Sequence, residues 1–487
     1  MARRLYHSGT VVTLLIGGLA FGNPTTQPEP AAGVLSTTTL RDFGARGDGR
    51  ADDTAAIQKA IESGKGVVQF PKGVYRITRP IVIDLNKVGY TALTGNGVAQ
   101  IVMAGPGPAF RIIGTHFKSA APSGFAPEIW DRQRMPLVDG IAILGAHDKA
   151  VGIEASGTMQ LTISRVLIRK ALHGIHLVKN NRNITISDCH IYDNRGAGIY
   201  FDDANLHQSN ITGCHISYND GGGIVTRAGN VRNIHITGCD LESNMSPGAK
   251  PSANVLIDSR GGSHGTAEVA ITGCTLQHNS TSPDSANIRI IGRSTPGDGQ
   301  EQVREGHVTI SGNVLSDVQV NIHLSHCRGV AITGNTFWMG YRHDLLAEDS
   351  SNIVVGPNNF DRNPRYTYGV GAKANHGVVF RNCEDCTLTG LHINGVQKAP
   401  AGLLIANCRR MNITGCTILN CDNAGLLLDN VAHSHLSGCI IRDDRPNSTS
   451  ASLKITGGEG NMIVNNMLGT PPVVSGQVGV VRDNVHP

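Results

Sequence analysis

The sequence predicts an all-β solenoid, a parallel β-helix of many short coils, and three observations predict it. A pattern returns at a fixed interval, as Asn183-Ile-Thr-Ile-Ser-Asp-Cys189-His-Ile, Asn210-Ile-Thr-Gly-Cys214-His-Ile and Asn233-Ile-His-Ile-Thr-Gly-Cys239-Asp-Leu, the cysteines being 25 residues apart twice. A period of this size marks stacked structural repeats. The composition agrees, since 60 glycines in 487 residues, with aromatics at 4% and charged residues at 16%, suit tight turns between short apolar strands. Within each copy apolar and polar residues alternate between turn signals, which is the period of a strand.

The first segment carries Arg3 and Arg4, the apolar run Val11 to Phe21 and small residues around Gly22. That is the layout of a signal peptide over residues 1–22, too short to span a membrane comfortably. The protein is therefore expected to be exported (secreted, periplasmic or at the cell surface), with no membrane contact after cleavage. The arginine pair also fits a twin-arginine signal. Residues 23–39 read as a Pro/Thr-rich linker, and 40–487 as one β-helix domain in which 40–100 form an N-terminal cap and the first coils. Asp52 or Asp53 can cap a helix whose Ala56, Ile57, Ala60 and Ile61 share one face, and Gly64-Lys-Gly66 ends it. A solenoid exposes its core at each end, so a terminal capping helix is required there. Val67 to Thr78 then reads as strand, Pro-Gly turn, strand.

Further copies follow at Ile271-Thr-Gly-Cys274, Ile310-Ser-Gly-Asn313, Ile332-Thr-Gly-Asn335, Ile413-Thr-Gly-Cys416 and Leu436-Ser-Gly-Cys439. Each coil parses into three strands: two short ones about a Gly-Cys bend and a third after an Asn/Asp/Gly turn. By alternation Ile224 and Thr226 face inward, while Val225 and Arg227 face out. The 11 cysteines are odd in number and most recur at one position of the coil. Stacked about 4.8 Å apart, they would point into the core as small apolar residues with vectors too parallel for disulfides. Cys383-x-x-Cys386 has no second pair or spaced histidines to complete a zinc site. The irregular stretch 114–136 holds Phe117, Phe125 and Trp130, rings able either to stack on a sugar or to pin the loop. The formal charge is only +4 and no basic run occurs, which argues against nucleic acid as a partner.

Asp42-Phe-Gly-Ala-Arg-Gly-Asp-Gly-Arg-Ala-Asp-Asp-Thr-Ala-Ala-Ile-Gln-Lys-Ala-Ile61, followed by Gly66-Val-Val-Gln-Phe-Pro-Lys-Gly-Val-Tyr75, resembles the N-terminal motif of the pectate-lyase-like (pectin lyase fold) superfamily. Rhamnogalacturonase/epimerase-like proteins and phage tail-spike depolymerases share it. The resemblance implies a right-handed parallel β-helix that acts on polysaccharides, with the substrate groove on the outward face of the third strand.

Aligned coil to coil, that strand presents His176, Lys179, Tyr200, Asp202, Asp203, Arg227, Asp258, Arg260, Arg289, Arg293, His323 and His326 outward. Later coils, such as Gly402-Leu-Leu-Ile and Gly425-Leu-Leu-Leu, turn this face apolar, so chemistry is expected between residues 174 and 330. Arginines clasp uronate carboxylates, and two carboxylates can protonate a leaving oxygen and activate water. Asp202 and Asp258 lie two coils apart, about 9.6 Å from the strand spacing. Polygalacturonases of the superfamily carry Asn-Thr-Asp, Asp-Asp, Gly-His-Gly and Arg-x-Lys in successive coils. Asp202-Asp203, Ser263-His264-Gly265 and Arg289 to Arg293 are similar in order, while the first element is absent at Val178-Lys179-Asn180 and the histidine falls a coil late.

The expectation is thus an enzyme that hydrolyses an acidic or pectin-like glycan. Asp202, Asp203, Asp258 and His264 are its catalytic candidates, and they should converge on one cleft. His176, Lys179, Tyr200, Arg227, Arg260, Arg289, Arg293 and His323 are the substrate-binding candidates. Two alternatives stand beside it. One is a lyase or epimerase on the same groove, with Lys179, Arg227 or Arg260 serving it and calcium on Asp202 and Asp203; otherwise no cofactor is called for. The other is a non-catalytic glycan-binding or surface structural protein. The Asp pair also has the ordinary role of capping a turn. The oligomeric state is left open.

Overall fold

The computed structural model describes residues 39–118, 124–248, 251–295, 303–367 and 369–486. The signal-peptide segment 1–22 lies outside the described residues, as does the linker apart from Thr39. From there the chain winds in coils of three short strands, each hydrogen-bonded in parallel to the coils before and after it. The first sheet stacks residues 175–178, 199–202, 224–227, 255–258, 288–291 and 322–325. A second stacks 162–164, 185–187, 210–212 and 235–237, and a third 167–169, 190–192, 215–217 and 240–242. Among the described residues one pair of strands, Arg293–Ser294 and Val303–Arg304, runs antiparallel.

The corners are made by single residues in the left-handed region. In one coil these are Lys179, Asn183 and Asp188, with φ of 59°, 55° and 54°. Asn and Asp tolerate this conformation because a short polar side chain can bond locally. Between corners, alternation sends Ile175, Ile199, Ile224, Val255, Ile288 and Ile322 into one inward stack, each at most 1% exposed. Burying each such side chain contributes about 1.5–3 kcal/mol relative to leaving it in water. The stack belongs to a single core that runs from Leu40 to Val478.

All cysteines are free and buried. Cys189, Cys214, Cys239 and Cys274 occupy one corner column that continues as Asn313, Asn335 and Asn358; the Cys274 amide donates to Asn313 Oδ1 at 2.9 Å. Burial pushes the Cys327 and Cys386 thiols up to about 12, so they behave as apolar filler.

A second corner column consists of amides. Asn194, Asn219, Asn244, Asn254, Asn287 and Asn321 are each at most 1% exposed, and each side-chain N–H₂ donates to the next carbonyl oxygen at 2.7–2.8 Å. The ladder ends where Asn321 donates to buried Asp344 at 2.7 Å; that carboxylate also accepts from the Gly340 amide and faces His376 Nδ1, each at 3.0 Å.

The expected helix spans Thr54–Glu62, and its Ile57, Ala60 and Ile61 enter the common core. Its two aspartates divide their work. Asp53 holds the N-cap position, yet its carboxylate accepts from the Arg46 and Gly47 amides at 2.7 and 3.0 Å. Asp52 instead takes the Thr54 amide at 3.1 Å and the Thr78 hydroxyl at 2.6 Å.

Val225 departs from the expected exposure. It lies on the outward side of its strand but is 1% exposed, packed with Ala197, Ala253, Leu256 and Ala286. The segments entering sheet one fold over its outer face there. In the stretch 114–136, Phe125 stacks on His116 at 4.5 Å and meets Trp130 edge-on at 5.4 Å, with Arg182 over it at 4.9 Å. These rings pack on one another.

Candidate functional site

The register of sheet one is that of the sequence alignment. One outward column reads Arg111, Glu154, His176, Tyr200, Val225, Leu256, Arg289, His323, Leu346, and a second reads Val178, Asp202, Arg227, Asp258, Ile291, Ser325, Glu348. Polar side chains gather along these columns in three groups.

The first group is centred on His176. Its Nε2 lies 3.0 Å from Asp202 Oδ2 and its Nδ1 lies 3.8 Å from Glu154 Oε2, while Arg111 Nε donates to Glu154 at 2.7 Å. The Tyr200 ring stacks on His176 at 5.4 Å with planes 5° apart, and His173 leans on Tyr200 at 4.9 Å. Burial, with His176 adding to it, holds His173 down at about 4, so this ring is neutral near pH 7. Burial and a hydrogen bond to Asp202 push the Tyr200 phenol well above its ordinary value, which keeps it a donor. The group therefore joins an exposed carboxylate, an imidazole between two carboxylates and a protonated phenol, the parts needed for general acid–base work.

The second group is an ion cluster. Asp258 is 4% exposed; Arg260 Nε and Nη2 donate to its two oxygens at 2.8 Å each, and Arg227 Nη1 lies 3.7 Å away. A carboxylate clasped in this way is a strong structural link. In the third group, buried Arg289 faces His323 at 2.9 Å and Asp284 at 3.2 Å, His323 faces Glu348 at 3.3 Å, and Arg381 reaches Glu348 at 3.4 Å.

The four catalytic candidates are not brought to one cleft. Asp202 stands on the outer face of sheet one with its side chain 41% exposed. Asp203 follows it in a left-handed corner at φ 43°, accepts from the Gly229 amide at 3.0 Å, and borders a separate depression of about 520 Å³ with Asn205, Asn230 and His264. His264 Nδ1 is 2.7 Å from Ser263 Oγ. Asp258 spends both oxygens on Arg260. Adjacent aspartates straddling a corner face different ways, so Asp202 meets His176 while Asp203 turns to the Gly229 amide.

The same divergence bears on calcium, which needs six to eight oxygen ligands. The oxygens of Asp202 and Asp203 are engaged separately, and no group of three or more His, Cys, Asp or Glu able to hold a metal occurs among the described residues. Of the remaining binding candidates, Lys179 occupies an exposed corner and Arg293 lies in the antiparallel pair; His326, placed outward by the alignment, is in a left-handed corner with Nδ1 2.9 Å from Ser325 Oγ.

Six residues of the groups escaped sequence reasoning: Arg111, Glu154, His173, Asp284, Glu348 and Arg381. The rung alignment extended one coil either way finds Glu154 and Glu348, and extended two coils it finds Arg111 and Arg381, while His173 and Asp284 precede the aligned strands.

Among the described residues, no helix is long and apolar enough to cross a membrane. Three family profiles match the chain: rhamnogalacturonase A/epimerase, pectate lyase-like, over residues 38–123; right-handed β-helix region, over 144–276; and periplasmic copper-binding protein (NosD), over 258–471. Among curated proteins, a probable glucan endo-1,3-beta-glucosidase of Arthroderma benhamiae is 37% identical over 89 residues, which is 15% of this chain and 10% of that one. Alginate lyase 7 of Azotobacter vinelandii is 51% identical over 43 residues, 8% of this chain and 5% of that one. The chain thus spans a tenth or less of the length of these curated relatives. Among solved structures, the tailspike gp49 of Pseudomonas phage LKA1 superposes with a TM-score of 0.44 at 14% identity, covering 88% of this chain and 82% of that one. The A-module of the mannuronan C-5 epimerase AlgE4 of Azotobacter vinelandii gives 0.37 at 14%, covering 92% and 99%. The parallel three-strand coils give the chain the right-handed β-helix fold, and the three family profiles matched between residues 38 and 471 are consistent with the pectin lyase-fold superfamily.

Proposed function

We propose that the protein is an exported enzyme that cleaves an acidic polysaccharide on the outer face of sheet one, with the His176 group as its catalytic centre. The observation that carries this reading is His176 itself, its two ring nitrogens directed at Asp202 and Glu154, with the cation Arg227 on the rung beyond Asp202. In hydrolysis, His176 gives the proton it holds between Glu154 and Asp202 to the leaving glycosidic oxygen, and the exposed carboxylate of Asp202 takes the proton of the attacking water. Arg227 and Lys179 supply the positive charge that meets the uronate carboxylate. Family relatives named as glucosidase, lyase and epimerase support a glycan substrate, and the signal layout of residues 1–22 supports export.

One observation favours a second reading, β-elimination. Tyr200 is a phenol held protonated and stacked on His176, so His176 could remove the proton α to the uronate carboxylate while Tyr200 protonates the leaving oxygen. Incubation with a panel of uronic-acid polymers separates the two readings. Hydrolysis yields new reducing ends without ultraviolet absorbance, elimination yields both, and inertness on every polymer rejects both.

A further inference from the structure

We propose that sheet two carries a second glycan-binding groove, which takes an uncharged stretch of polysaccharide and does not cleave it. The groove lies on the outward side of residues Thr162, Thr185, Asn210 and His235, which follow one another in register on successive coils. Its other wall is the corner column Gln160, Asn183, Gln208 and Asn233, all left-handed at φ 57°, 55°, 67° and 57°. A left-handed residue is uncommon for glutamine, yet four coils in a row place an amide there. Between the walls is a cavity of about 610 Å³.

The chemistry of this lining differs from that of sheet one. It holds amides, hydroxyls, one imidazole and Met135, and neither a carboxylate nor a lysine or arginine. Each amide offers a donor and an acceptor side by side, and each hydroxyl does both, which matches the dual character of sugar hydroxyls. Along these four rungs the lining offers a uronate no cation, so the charge-free stretch suits a neutral sugar.

Geometry adds two further points. The rungs repeat at about 4.8 Å, close to the length of one pyranose in an extended chain, so successive sugars meet equivalent amides. At its N-terminal end the groove shares Met135 with a shallow apolar depression of about 310 Å³ that holds Val67 and Tyr90. Tyr90 is 48% exposed, with the Arg134 guanidinium over its ring at 5.3 Å, which makes an amphipathic platform for the C–H face of a sugar. At the opposite end Glu268 ties back Asn233 at 2.5 Å and closes the neutral run. The outward column continues there as Ala270, which offers no hydrogen bond.

The test uses the full chain and titration calorimetry with four probes: cellohexaose, laminarihexaose and xylohexaose as neutral chains, and hexagalacturonate as the anionic one. At least one neutral hexasaccharide is expected to bind. N210A combined with Q208A should weaken it by at least about tenfold, as loss of two sugar hydrogen bonds requires. N183D, which puts a charge in the groove at nearly constant shape, should also weaken it. N210A/Q208A should keep the thermal midpoint of the wild type, because both side chains are exposed. D202N should bind the neutral probe as the wild type does, so the groove stands or falls separately from the cleavage chemistry. Absence of binding by all three neutral chains overturns the proposal. So does neutral binding that survives N210A/Q208A, or preferential binding of hexagalacturonate that these substitutions abolish.

Discussion

His176 Nε2 lies 3.0 Å from Asp202 Oδ2 across adjacent rungs of sheet one, and this contact joins the most exposed carboxylate of the His176 group to its only imidazole that also faces Glu154. Because the pair acts as one proton-handling unit, removing either member should cost about the same. D202N and H176A are each expected to lower kcat about 10²–10⁴-fold, the usual contribution of a general acid or base. The double variant should be little worse than either single one. Additive losses would mean that the two residues act independently.

Asp258 should report on stability. D258N removes a carboxylate that is 4% exposed and leaves Arg260 and Arg227 without their partner. Hydrogen bonds to charged groups contribute about 1.5–3 kcal/mol, so a loss of about 2 kcal/mol is expected in denaturant titration. Activity per folded molecule should fall far less than in D202N or H176A, because Asp258 touches the proposed site only through Arg227.

The amide ladder makes a sharper stability prediction. Asn254 is fully buried, accepts from the Asn244 side chain and backbone at 2.8 and 3.1 Å, and donates to Asn287 at 2.7 Å. N254A leaves buried donors and an acceptor unpaired, at about 1–3 kcal/mol for each group. N254A should therefore destabilise the protein more than removal of an exposed corner asparagine such as Asn430, read by the same unfolding curves.

Acid should weaken the fold through its histidines. Burial holds His116, His173 and His343 down at about 4, from an ordinary 6.5. Between those values the unfolded chain binds protons that the folded chain refuses. Stability is therefore full above about pH 6.5 and falls as the pH drops through the window toward 4. Thermal midpoints measured across this range should decline, and H343N should flatten the decline by its share. A midpoint that rises on acidification from pH 6.5 to 4 would contradict this.

The fold was legible because its rules are local and repeated. A 25-residue spacing of Cys189, Cys214 and Cys239 sets the rung, and alternation about it places Ile224 inward and Arg227 outward. The amide ladder was equally present, since Asn194, Asn219 and Asn244 share that spacing, but an asparagine in a turn reads first as a turn residue. The site was legible in register and less so in partnership. Sequence places Asp202, Arg227 and Asp258 on one column but does not show that Arg260 would fold back two residues to clasp Asp258. Nor does it show that a left-handed corner would send Asp203 toward Gly229. Val225 was misjudged for a related reason: alternation fixes the side of the sheet, while the segments that cover that side come from neighbouring coils.

The central claim is tested most directly by digesting polygalacturonate and alginate in parallel with the wild-type protein, D202N and H176A, while following new reducing ends and unsaturated-product absorbance. The account predicts cleavage of at least one acidic polymer by the wild type, and loss of about 10²-fold or more in both variants with their thermal midpoints kept. Cleavage that persists in D202N and H176A, or a wild type inert on both polymers, would contradict it.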